Sequence, residues 1–499
     1  MMREYTTDVF LVGSGPAAAT YARVLLDSTT TQKLWMAEMG SAESPVLGEN
    51  LKNGPYFQRN IAAFQHYILG HLHSLAPPDS DLPGAAGTYS VGGMATHWTC
   101  ATPRPHRDEL PDTYSDVEWD RLYTKAEKLI GTNHHPFDDL ISQQIIHRAL
   151  ATDPETKGRV VKGLPLAVKV SKKSIPHLRW SGTDTIMQEQ FYNERLTLKS
   201  NTHVRRLVHK NGKVSHAVCH DLLTGEDYIV KAKAFIIGGG ATLTPQLMFA
   251  SGIGNDNVGR YLSDHPTAFC QIVLADRHLD WARKNSAFDE ALAEHRREHP
   301  SDAVPIPLSE PEPQLYTPYT SEYPWHTQIH RESFHYGNVS SSMDQRRIIH
   351  LRWYTKQDPR PENRVVFDSK LDVWGMPQPI FKVSFSADDI ARNERSMEDM
   401  KRFARALGDY LPGVEPHWRP YGQALHVTST TRIGSDPTTS VLDPSSRVHG
   451  FENCWVGGNN VLPVANSVNP TLTSMAFAIK GAEELLTFGP GDKIAWQPK

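Results

Sequence analysis

The chain has 499 residues, 22% of them charged and 39% hydrophobic, with a formal charge of −4; this length exceeds one ordinary core and implies two or three domains. No apolar run approaches the roughly 20 residues of a bilayer span, and no Lys/Arg block stands out, so neither a membrane nor a nucleic acid is an expected partner. A small neutral ligand fits the charge balance better. Cys100, Cys219, Cys270 and Cys454 form no Cys-x-x-Cys pair, which suggests reduced, buried thiols and no metal site. The opening Met-Met-Arg-Glu-Tyr-Thr-Thr-Asp shows no secretory signal, giving the expectation of a cytoplasmic or non-classically exported protein.

Val9–Val12 is a short apolar run ending in Gly13-Ser14-Gly15, and Ala17–Leu26 continues with helix-compatible residues: strand, tight turn, helix. Leu34–Ala37 predicts the next strand, closed by Glu38. Gly13 to Ala18 is thus a G-x-G-x-x-A turn in matching context, where glycines let the backbone approach a pyrophosphate and the helix N-terminus faces its charge. Glu38 stands where a carboxylate accepts bonds from ribose hydroxyls. Together these residues predict a bound dinucleotide lacking a 2′-phosphate.

Next comes Gly92-Gly93-Met94-Ala95-Thr96-His97-Trp98-Thr99-Cys100; taken alone, a histidine beside Trp is more often a packed core residue than a reactive one. Residues 101–195 are richer in Pro, His and charge, with one helix around Trp119–Ile130, and leave the βα rhythm. Thr197–Ile237 alternates as strands do, and Ala234–Ile237 runs into Gly238-Gly239-Gly240, which re-enters the nucleotide domain. Residues 276–325, charged and then Pro-rich, predict a long surface excursion or lid. Strands are expected at Ile348–Tyr354 and Phe381–Phe385. Ser386 then caps a helix with Ile390, Met397, Met400, Phe403 and Leu407 on its apolar face. Trp455-Val456 precedes Gly457-Gly458, and a last helix from about Pro470 presents Leu472, Met475, Ala476, Ile479, Ala482 and Leu486. The expected architecture is α/β: a Rossmann-like nucleotide-binding domain built from residues 1–100, 196–275 and 421–499, and a sheet-plus-helices substrate domain built from 101–195 and 276–420.

The nucleotide turn, Val91–Trp98, Trp325-His326-Thr327-Gln328-Ile329-His330-Arg331 and Asn469-Pro470-Thr471-Leu472-Thr473 together resemble the pyranose oxidases, a branch of the glucose-methanol-choline (GMC) flavoenzymes. Val258-Gly259-Arg260, Asp264-His265-Pro266 and Arg352-Trp353 are further points of likeness, which runs from near the N-terminus to about residue 486. The resemblance implies the FAD-binding fold shared by GMC enzymes and p-hydroxybenzoate hydroxylase, and FAD rather than NAD. The residues it implies at FAD are Gly13, Gly15, Ala18, Glu38, Gly93, Thr96, His97, Thr99, Gly240, Gly458, Asn459, Pro470 and Thr471. It further implies a covalent bond from His97 to the flavin 8α-methyl, which raises the flavin potential, with Thr99 near N5.

The same resemblance makes His426 and Asn469 the catalytic pair. A secondary alcohol that becomes a carbonyl must lose its hydroxyl proton, which a neutral imidazole can accept. Asn469 can hold the same oxygen, and the helix starting near Pro470 places its positive end toward the charge of the reduced flavin. Gln328, His330, Glu332, Phe334, Tyr336 and Arg352 are implied as sugar contacts. The stretch 332–336 resembles a mobile substrate loop, departing from an expected Asp-Ala-Phe-Ser-Tyr at Glu332 and His335.

The implied reaction converts a pyranose secondary hydroxyl, at C2 by analogy, to a keto group, with O2 (giving hydrogen peroxide) or a quinone as acceptor. The alternative is a glycoside 3-oxidase or 3-dehydrogenase acting at C3 of glucosides. From another class comes a flavoprotein whose FAD is redox-silent, which has no need of a base beside a histidyl flavin. The fungal members are longer, so their tetramer is not carried over, and a homo-oligomer is left open.

Overall fold

The computed structural model describes residues 2–29, 31–54, 56–57, 67–77, 79–171, 177–331 and 343–487. Val9–Val12, Leu34–Ala37 and Ala234–Ile237 are apolar throughout and almost wholly buried, as parallel strands covered on both faces must be. With Leu196–Lys199 and Cys454–Val456 they form a five-stranded sheet in the order Leu196–Lys199, Leu34–Ala37, Val9–Val12, Ala234–Ile237, Cys454–Val456, every pairing parallel. The helices Pro16–Ser28 and Thr471–Thr487 close over it, burying Ala18, Ala22, Leu25, Leu472, Met475 and Ile479 in the same core. A four-stranded sheet that includes Arg3–Thr6 and Thr202–Lys210 lies beside this unit in the chain.

The second core is built on a seven-stranded sheet whose central strands are Thr267–Leu274, Ile348–Thr355 and Trp325–His330, paired antiparallel. Side chains alternate across a strand, and here the alternation sorts chemistry. Ala268, Cys270, Ile272, Trp325, Ile329, Leu351 and Trp353 share one face and pack with Met397, Met400 and Phe403 of the Ala387–Leu407 helix. The opposite face carries His326, Gln328 and His330 in register with Tyr354, Arg352 and His350, and Phe269 opposite Arg352.

Several sequence expectations are corrected. Residues 276–325 are not a structureless excursion: they hold the helices Asp276–Lys284 and Asp289–Glu298 and the strand Gln314–Tyr316. Their buried stripe is narrow, His278, Leu279 and Ala282 in the first and Leu292 with His295 in the second, which leaves little apolar period in the sequence. Asp116–Ile130 is the expected helix, but Trp119, Leu122 and Ile130 belong to the first core, as does Ile186 of Thr183–Met187. Thr267–Leu274 belongs to the second. The expected division at 101–195 and 275 therefore differs from the packing at both places, since an apolar stripe or run shows that a segment is buried and not against which core. Ile141–Thr152 is a further helix in the second core. Ser386 caps Ala387–Leu407 by accepting from Asp389 N–H at 3.0 Å, although Ile390 is 50% exposed and lies off the packed face. The strand expected at Phe381–Phe385 is Pro377–Lys382, paired among the described residues only with Arg364–Leu371. All four cysteines are free and buried, and no helix among the described residues is long and apolar enough to cross a membrane.

Candidate active site

Gly13 follows the strand Val9–Val12 at φ +87°, and a Cβ there would lie 2.7 Å from the Gly238 carbonyl oxygen of the neighbouring strand's turn. Only glycine fits. Pro16 opens the 13-residue helix that follows, where its missing N–H is no loss. Ser14 ties three segments together. Its Oγ and N–H donate to Glu38 Oε2 at 2.8 and 3.0 Å, and the Oγ accepts from Gly92 N–H at 2.9 Å. Glu38 Oε1 takes Gly40 N–H at 3.0 Å, so burial pushes this carboxyl up while these donors pull it back. Ala18 faces Gly238, whose added Cβ would meet the Ala18 methyl at 2.9 Å; it keeps helix and sheet close.

Gly92, at φ +103°, starts the short helical turn Gly93–Thr96, and Thr96 Oγ1 closes it by donating to Gly93 O at 2.8 Å. His97 follows. Its Nε2 lies 2.9 Å from Thr88 Oγ1, and burial, helped by His71, lowers its pKa to about 4, so the ring is neutral at pH 7.

The third group gathers around His426. Its Nε2 is 3.1 Å from Asn469 Nδ2, and its Nδ1 is 2.9 Å from His265 Nδ1. Asn469 Oδ1 accepts from Gln328 Nε2 at 2.7 Å, and that amide also lies 3.3 Å from His326 Nε2. Burial, then His265, His326 and Arg352, hold the His426 pKa well below the usual value. Asp264, wholly buried, is pushed up to about 7, and its Oδ2 finds no hydrogen-bond partner among the described residues.

One cavity of about 760 Å³ connects all three groups, within the size range of ligand sites. Gly13, Gly15, Glu38, Gly240, Gly458 and Asn459 line it; so do Gly93, His97 and Thr99; and so do Arg352, His426, Asn469 and Thr471. Ala18, Thr96 and Pro470 do not line it. Gln328 and His330 are buried on the sheet face and do not line it: Gln328 reaches Asn469 instead, and the His330 ring lies 6.0 Å from that of His350. Glu332, Phe334 and Tyr336 lie outside the described residues. Thr88 and Arg419 also line the cavity, and no motif in the sequence marks either; Ser14 lies inside the nucleotide turn, but its bonds to Glu38 and Gly92 are long-range and no local pattern encodes them. His265, in the Asp264-His265-Pro266 motif, reads from sequence only as a second candidate for the base after His426.

Residues 167–267 and 359–478 both match the GMC oxidoreductase family. Over 97% of its length the chain is 39% identical to the pyranose 2-oxidase of Tricholoma matsutake, covering 94% of that protein. The chain belongs to the GMC oxidoreductase family. It is also 32% identical to the C-glycoside 3-oxidase of Microbacterium trichothecenolyticum, across 96% of each chain. Pyridoxine 4-oxidase from Mesorbium loti shares the fold, with a TM-score of 0.66 at 16% identity over 96% of this chain and 99% of that one. As a GMC oxidoreductase the protein uses FAD, and the residues present fit that group. A turn that has glycine at positions 13 and 15 and a helix N-terminus suit its pyrophosphate, Glu38 keeps acceptor capacity on Oε1, and a single cavity leads from there to His97 and His426.

Proposed function

We propose that this GMC oxidoreductase oxidises a secondary hydroxyl of a pyranose, at C2, to a ketone, with O2 giving hydrogen peroxide or a quinone as the electron acceptor. The observation that carries this reading is the pair His426 and Asn469, 3.1 Å apart on the wall of the cavity that also holds the nucleotide turn. Bound FAD supplies the two-electron acceptor for the hydrogen that leaves carbon. His426 Nε2 takes the hydroxyl proton, and Asn469 Nδ2 holds the substrate oxygen next to it. Arg352 lines the same cavity, within reach of sugar hydroxyls. Side chains that read hydroxyls discriminate strongly, because a wrong partner leaves them unpaired. Similarity to pyranose 2-oxidases across nearly the whole chain supports C2. The weaker but equally extensive similarity to a C-glycoside 3-oxidase supports, as a second reading, oxidation at C3 of glucosides.

His97 is proposed as the covalent attachment point. Its neutral ring keeps a nitrogen lone pair, the form able to bond carbon, and it lines the cavity. Acid precipitation should leave the yellow colour with wild-type protein and release it from His97→Ala; colour washing out of both would remove the covalent link and leave the oxidase reading standing.

The function is tested by incubating pure protein with glucose and with a phenolic glucoside, with oxygen or benzoquinone, and identifying the keto product by NMR. A 2-keto sugar is expected, a 3-keto glucoside would select the second reading, and no product with any combination would overturn both. In stopped flow without oxygen, His426→Ala should slow flavin reduction by about 10²- to 10⁴-fold, the usual worth of a general base, with a smaller loss for Asn469→Ala. Reduction of His426→Ala at the wild-type rate would assign the base elsewhere.

A further inference from the structure

We propose that His265 is a positioning residue that holds His426 with its proton on Nδ1, leaving Nε2 bare toward the cavity. This rests on the reading of His426 as the base. The backbone carbonyl of Asn466 can only accept, and it lies 2.6 Å from His265 Nε2, so that nitrogen carries a proton. His265 is buried and its pKa is lowered to about 4, so the ring is neutral and its Nδ1 is bare. His426 Nδ1, 2.9 Å away, must therefore be the donor. A neutral His426 then has its lone pair on Nε2, where Asn469 Nδ2 donates at 3.1 Å.

A second run of bonds agrees from the other side. Gln328 Nε2 donates to Asn469 Oδ1 at 2.7 Å, which turns the Asn469 N–H groups toward His426. Asp264 anchors both rings by their backbone, its Oδ1 accepting from His265 N–H at 2.8 Å and from His426 N–H at 3.1 Å. With the opposite tautomer, His426 Nε2–H would face an amide N–H, and two bare Nδ1 atoms would face each other in a buried space. Each such mismatch leaves a polar group unsatisfied. The bond made by one ring nitrogen thus decides what the other can do: once Nε2 takes the substrate proton, Nδ1–H already has its acceptor in His265, and the Asn469 N–H passes from Nε2 to the substrate oxygen.

The test uses the full-length, FAD-loaded protein. In nitrogen-15 histidine NMR, signals lost in His426→Ala should report the Nδ1-protonated tautomer in wild type; the Nε2-protonated form would overturn the proposal. Three substitutions give an independent reading. His265→Asn keeps an acceptor near the Nδ1 position, His265→Gln moves its polar end toward Nε2, and His265→Phe keeps only the ring shape. Anaerobic flavin reduction at saturating sugar should fall about 10- to 100-fold in the Phe and Gln variants, the range for partners that orient a metal-ligating imidazole, and recover to within a few-fold in the Asn variant, with KM little changed. Wild-type rates in His265→Phe, or equal losses in all three, would overturn the proposal. If His265→Phe does not fold, the NMR tautomer decides. Slow His426→Ala beside fast His265→Phe would remove only the role of His265, whereas fast His426→Ala would remove the base as well.

Discussion

At the scale of single residues, the site keeps most of its titratable groups neutral by burying them. His426 is faced by His265 and Asp264 from the segment before Thr267, by His326 from Trp325–His330, and by Arg352 and Tyr354 from Ile348–Thr355. Desolvation disfavours the imidazolium, and the Arg352 charge does so too. A lowered pKa means that the base form persists to acid pH and is lost only as pH falls through the folded value. Flavin reduction by sugar should therefore show no step at the ordinary imidazole value of about 6.5 in Asp264→Asn, where the neighbouring carboxyl pushed up to about 7 is removed, and decline only at more acid pH. A stopped-flow rate that climbs through about pH 6.5 in that variant would indicate a solvated imidazole and contradict the buried dyad. The nucleotide turn is legible from its own residues, and the family resemblance, carried by local motifs, brings His97, His426 and Asn469 into the candidate site. The partnerships of His265 with His426 and of Gln328 with Asn469 span 161 and 141 residues, and no local pattern encodes them.

Among the elements, the sheet that presents Arg352 and Gln328 is pinned from behind by one carboxylate. Asp399, 1% exposed, sits on the Ala387–Leu407 helix and accepts Trp325 Nε1 and Trp353 Nε1 on Oδ2, both at 2.9 Å. Arg159 Nη1 reaches both carboxylate oxygens at 2.6 and 2.7 Å, and its guanidinium lies 3.7 Å from the Tyr323 ring centre. Asp399→Ala would leave a buried guanidinium and two indole N–H groups without this acceptor. Breaking such a pair costs about 3–5 kcal/mol, so the urea midpoint, followed by fluorescence and circular dichroism, should drop accordingly. A loss under about 1 kcal/mol, the range of exposed pairs, would mean that water or a neighbour replaces the carboxylate. The helix itself was readable from Ser386 and the spacing of Met397, Met400 and Phe403. Asp399 was not, since a lone acidic residue in a helix normally reads as a solvated face.

At the scale of the molecule, the α/β architecture followed from the apolar strands and glycine turns, while the assignment of amphipathic helices to one core or the other did not, because a stripe shows only that a face is buried. What unites the two cores is the cavity. The carboxyl ends of the parallel strands contribute Val12, Gly13, Ala37, Glu38 and Ile237, and the face of the antiparallel sheet contributes Thr267, Phe269, Arg352 and Tyr354. A ligand in that space touches both units, so it should stabilise the fold as a whole. For a ligand that dissociates, the gain follows mass action, about 2.7 kcal/mol at a hundredfold excess over Kd; a covalently held group cannot leave and shows no such dependence. Thermal melting should therefore be insensitive to added FAD in wild type, whereas His97→Ala should melt lower in buffer and rise steadily with FAD concentration. The comparison separates two claims. Equal FAD dependence in both proteins would deny the bond at His97, and independence in both, with flavin shown to be absent from His97→Ala, would deny that FAD in this cavity holds the two cores together.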